Sequence, residues 1–137
     1  MSILAFALAL AAPVQAETAP PVINYGCQDL VVIGKMTNVS YSLIEDANDL
    51  LGHGYIRFTV DIKERLAGKD ARKSVAAASV AHGYMHEEHE FLLVLKRVRG
   101  KRHYWLQDVR LWELAPGDYD ARMPKPPPRP QLAARCT

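Results

Sequence analysis

Cysteine is scarce, with two in 137 residues, and neither sign of charge dominates, since 17 Lys and Arg stand against 15 Asp and Glu. Two cysteines far apart in sequence lack the clustered spacing of zinc ligands. The net charge of +2 lacks the basic excess of a dedicated DNA or RNA binder, so no nucleic acid is expected as a partner. No apolar run reaches the about 20 residues that a bilayer-spanning helix needs. Also missing are a Gly-x-Ser-x-Gly nucleophile elbow and a Gly-rich phosphate loop, so no catalytic residue is assigned. A chain of 137 residues accommodates one domain and hardly two.

What is present begins with an address. Ile3 to Ala12 is wholly apolar, Pro13 breaks the run, and Val14-Gln15-Ala16 puts small residues at the minus-three and minus-one positions of a cleavage site. The expected organisation is a signal peptide over 1–16, an N-terminal lead over 17–28, a β-barrel over 29–114 and a Pro-rich tail over 115–137. With the signal removed no membrane span remains, and the localisation expected is periplasmic or secreted. Export gives Cys27 and Cys136 their reading as one disulfide, because an even count in an oxidising compartment pairs.

Strand signals dominate the body. Leu30-Val31-Val32-Ile33 opens a long strand through Tyr41, and Gly34 marks a bulge or bend in it. Ile56, Phe58, Val60 and Ile62 alternate with Arg57, Thr59, Asp61 and Lys63, which gives one core face and one wet face. Ser74 to Ala81 is a third strand. Phe91 to Leu95, nearly all apolar, suits a strand covered on both faces. Arg99-Gly100 turns the chain into a fifth strand, Tyr104 to Leu114. Five strands, a bent first strand and no strong helix imply an all-β fold, a small five-stranded barrel. The tail, with Pro124, Pro126, Pro127, Pro128 and Pro130, favours an extended polyproline II strap that carries Cys136 back toward Cys27.

The segments Asp29-Leu30-Val31-Val32-Ile33-Gly34-Lys35, Phe58-Thr59-Val60-Asp61-Ile62-Lys63-Glu64 and Leu66-Ala67-Gly68-Lys69 together resemble the first two strands of netrin-like, tissue-inhibitor-of-metalloproteinase-like OB-fold domains. The Leu51-Gly52-His53-Gly54 turn, the loop from Ala81-His82 to His86 and the near-terminal cysteine are similar to small exported bacterial proteins of unassigned function. The resemblance implies an OB-like, netrin-module-like barrel. In the animal inhibitors of this type an N-terminal cysteine chelates the protease zinc; here the expected cleavage leaves Glu17 first and Cys27 ten residues inward.

Two side-chain clusters stand out. His82, His86 and His89 fall within nine residues that also hold Glu87, Glu88 and Glu90, groups able to hold zinc or copper weakly at a surface. On an extended loop, His86, Glu88 and Glu90 would share one face and Glu87 and His89 the other. The second cluster is Lys96, Arg97, Arg99, Lys101 and Arg102, followed by Tyr104 and Trp105. From residue 91 onward ten basic and four acidic residues give a net +6, whereas 17–90 holds seven basic and eleven acidic, a net −4. A basic hairpin beside aromatics suits an anionic glycan or headgroup. The functional expectation is therefore an exported, non-catalytic binding or interaction module for an envelope or extracellular partner, with no cofactor. The alternative is a metal-binding protein or metal-dependent hydrolase using the His82–His89 loop; a further alternative is an inhibitor of exported proteases.

Overall fold

The period-two segment folds as its pattern requires. In β3 (Gly54–Ala67) Ile56, Phe58 and Val60 are buried while Arg57 and Asp61 are exposed. The computed structural model describes residues 19–46, 48–49, 52–82, 86–118 and 127–136. The signal-peptide reading of 1–16 and residues 119–126 of the expected strap lie outside these. β1 (Val22–Tyr25), β2 (Leu30–Leu43), β4 (Ser74–Ala81), β5 (Glu90–Arg97), β6 (Tyr104–Glu113) and β7 (Gln131–Ala134) complete the strands.

Five strands close a barrel in the order β2-β3-β4-β6-β5, with β5 returning to β2. All neighbours are antiparallel except β4 and β6, which meet in parallel through Ala77↔Tyr104 and Ala78↔Trp105. This order and its single parallel seam are those of an OB-like barrel. Among the described residues there is no helix, so none is long and apolar enough to cross a membrane.

β2 serves both sides of the barrel, pairing with β5 over Leu30–Lys35 and with β3 over Val31–Leu43. Its register against β3 shifts at Val31/Val32, at Ile33/Gly34 and between Thr37 and Ser40, irregularities that bend the strand along its length. At Gly34 a Cβ would lie 2.3 Å from the Asp61 carbonyl oxygen, so glycine permits the close approach. At the last of these shifts Asn38 takes a positive φ of 52°, a conformation asparagine adopts more readily than most residues.

The barrel interior is filled by Leu30, Val32, Met36, Ile56, Phe58, Val60, Leu93, Leu95 and Leu106, among others. A second apolar layer, Val31, Ile33, Leu92 and Val94, faces outward from β2 and β5 and is covered by Ile23 of β1, with Trp112 against it. Burial on both faces explains the near-continuous apolar run of β5. β1 and β7 form a separate parallel pair. Cys27 and Cys136 are joined, with Cα atoms 5.1 Å apart, and so fasten the end of β7 beside β1. The bridge marks an oxidising compartment. The Asp29 carboxylate, 8% exposed, accepts the N–H groups of Gly26 at 2.7 Å and Arg97 at 3.1 Å, tying this junction to the barrel.

Candidate ligand-binding face

Strand alternation directs the polar half of β3 outward onto a face shared with β4. There Tyr55 opposes Val80, Arg57 opposes Ala78 and Thr59 opposes Ala76. The alanines leave room where larger side chains would stand, and a cleft of about 430 Å³ results, lined by Asn38, Tyr55, Arg57, Thr59, Ala76, Ala78 and His103 among others. The Arg57 guanidinium lies 5.1 Å from the Tyr55 ring centroid, and the Trp105 ring stands 6.1 Å from that of Tyr55 at a 44° tilt. Among the described residues no carboxylate pairs with Arg57. A cation held on an aromatic ring and unopposed by an acid is available to an anionic ligand. In OB barrels this is the face, with its flanking loops, on which oligomers lie.

The basic hairpin borders the same region. Lys96 stands opposite Trp105 in the β5–β6 ladder. The turn closes with the Lys101 N–H donating to the Val98 carbonyl at 3.2 Å, and Gly100 supplies its positive φ of 74°. Lys96, Arg97, Arg99, Lys101 and Arg102 are all exposed, and none is paired with a described carboxylate. Trp105 is half-buried on the outer face, but its neighbour Tyr104 points inward and is 3% exposed, because adjacent residues of a strand alternate sides. The Tyr104 hydroxyl donates to Asp70 Oδ2 at 2.8 Å, and the Arg97 guanidinium lies 5.2 Å from the Tyr104 ring centroid. Burial, and after it the bond to Asp70, pushes the Tyr104 phenol up. The hydrogen bond from Arg72 holds the Asp70 carboxyl far below the usual carboxylate range, with burial opposing and Tyr104 assisting.

The three histidines of the 82–89 loop do not meet as a set. The His82 ring lies 3.7 Å from that of His53, whereas His86 lies 5.4 Å from His89. Residues 87–89 bend rather than run extended, so the alternation expected of an extended loop does not hold there. Glu87 Oε1 accepts the Val39 N–H at 2.8 Å, satisfying a donor freed by the β2 bulge. His89 Nδ1 accepts the Ala115 N–H at 3.0 Å. Glu90 bonds Lys63 Nζ at 2.9 and 2.7 Å, which raises the lysine. Among the described residues no group of three or more His, Cys, Asp or Glu is placed to hold a metal ion.

Tyr55 and Arg57 fall in none of the sequence motifs, and His53 enters only as part of the Leu51-Gly52-His53-Gly54 turn, with no functional role attached. The signal for the first two was the polar half of the period-two strand, which marks a wet face without marking it as a cleft. No protein-family model matches the chain, and no curated protein or solved structure matches it.

Proposed function

We propose that the chain is an exported, non-catalytic binding module, periplasmic or secreted, that holds an extended anionic polymer of the envelope or extracellular space across the β3–β4 face. The observation that carries this reading is Arg57, stacked on Tyr55 beside Trp105 above an alanine floor and without an acidic partner among the described residues. The rings offer flat apolar surface to a repeating unit, Arg57 takes its anionic group, and the exposed cations of the 96–102 hairpin engage neighbouring units.

The test is calorimetric titration of the mature, oxidised chain with a carboxylated polysaccharide, a neutral polysaccharide of matched length, and single-stranded DNA. The carboxylated polymer binds and the neutral one does not. Arg57→Ala weakens binding by about tenfold or more, the loss expected of one charge-assisted contact. Lys101→Ala with Arg102→Ala reduces its salt dependence. A binding isotherm unchanged by Arg57→Ala, Tyr55→Ala and Trp105→Ala refutes the assignment of the face, and preference for DNA refutes the assignment of the polymer.

A further inference from the structure

The β3–β4 ladder ends at Gly54↔Ala81, and the next residue on each strand is a histidine. Because strand side chains alternate, His53 and His82 emerge on the side of Tyr55 and Val80, two residues further in. Their ring centroids are 3.7 Å apart. Behind them stands one carboxylate: Asp49 Oδ2 accepts the His53 N–H at 2.6 Å and lies 2.7 Å from His53 Nδ1, while Oδ1 accepts the Gly52 N–H at 3.2 Å.

We propose that His53 and His82 are the protein ligands of an open site for a late first-row divalent transition metal, with Asp49 as the positioning residue. Pairing of His53 Nδ1–H with a carboxylate fixes the tautomer and directs the Nε2 lone pair outward, the arrangement found behind metal-bound histidines. The setting suits a cation, since the adjoining shallow cleft is lined by Ile44, Asp46, Asn48, Asp49, His53 and Val80, with two carboxylates and no Lys or Arg among its described residues. His89 offers the opposite chemistry, because its Nδ1 is occupied by the Ala115 N–H and a neutral ring then carries its proton on Nε2.

At metal–nitrogen distances of about 2.0 Å, two imidazoles on one ion have centroids about 4.5 to 5 Å apart, so the pair opens by about 1 Å on binding. His82 is exposed and the His53 side chain is 40% exposed, which leaves both rings room to swing. With no third described protein ligand, the remaining positions fall to water or to a ligand on the adjacent face. Copper(II) binds more tightly than zinc, following the usual order for imidazole sites. This site stands independently of the polymer reading.

The experiment is titration of the oxidised, chelator-stripped chain with copper(II) and zinc chlorides, followed by electron paramagnetic resonance of the copper complex. One ion binds per chain, with hyperfine coupling to two imidazole nitrogens. His82→Ala and His53→Gln each remove one coupled nitrogen and weaken binding at least tenfold; the glutamine amide retains a donor for Asp49. Asp49→Asn weakens it about 10–100-fold. His86→Ala with His89→Ala leaves it unchanged. Absence of stoichiometric binding, binding indifferent to both His53 and His82 substitutions, or binding lost with His86 and His89 overturns the proposal.

Discussion

Replacing Gly34 by alanine tests whether the bend of β2 rests on a steric requirement. The added Cβ would stand 2.3 Å from the Asp61 carbonyl oxygen and 3.3 Å from the Ile62 Cα. An ordinary carbon–oxygen contact is about 3.3 Å, so the strands must separate by about 1 Å. Gly34 cannot retreat freely, because its other edge pairs with Phe91 of β5. Stretching two ladder hydrogen bonds costs about 1 kcal/mol each, and overpacking about 2 more. Reduced freedom of the unfolded chain returns somewhat under 1. The expected net destabilisation is about 3 kcal/mol. Gly100→Ala is the control, since no atom of the described residues lies within 4 Å of its would-be Cβ and the positive φ of 74° is what opposes the change; its cost is about 1 kcal/mol. Urea unfolding followed by tryptophan fluorescence measures both, and with a slope of about 1.5 kcal/mol/M Gly34→Ala lowers the midpoint by about 2 M. A Gly34→Ala loss below about 0.5 kcal/mol, or one smaller than that of Gly100→Ala, refutes the reasoning.

Two further outcomes follow from the closure and from one ion pair. Cys27→Ser with Cys136→Ser opens a loop whose ends are 109 residues apart, removing about 4 to 5 kcal/mol by the chain-entropy relation. Hydrogen exchange then shows β1 and β7 losing protection before the barrel strands, and simultaneous loss everywhere would show that the bridge does more than fasten that pair. Asp70 has its folded pKa depressed by Arg72 and Tyr104, so the stability it contributes is present above the unfolded value near 4 and is lost as pH falls toward the folded one. Asp70→Asn therefore lowers stability at neutral pH and flattens its decline in acid; parallel acid profiles for the two proteins would count against the assignment.

Much of the barrel was legible because local patterns carry it. The alternation in Ile56 to Ile62 became the inner and outer sides of β3, Gly34 fell at a register shift, and the apolar Phe91 to Leu95 run became a strand nearly covered on both faces. β1 and β7 were not legible. Each is four residues long, too short for a period to register, and each is a strand only because the other lies beside it. The candidate face was half legible. Trp105 and the hairpin cations stood out as a cluster, yet Tyr104 from the same cluster turned inward onto Asp70, and Tyr55 and Arg57 came from a strand about forty residues earlier.

By itself, the sequence determined which residues prefer strands, where the long strand from Leu30 bends, which two cysteine sulfurs are available to pair, and that charge separates into an acidic first part and a basic second part. These are properties of neighbouring residues and of composition. Only the tertiary structure decided what stands next to what: the parallel seam between β4 and β6, the layer that covers the outside of β5, Arg57 on Tyr55 beside Trp105, and His82 against His53 rather than with His86 and His89. The physical reason is that contacts across a barrel follow from register and closure. A shift of one residue in a strand's pairing would turn each of these side chains to the opposite face.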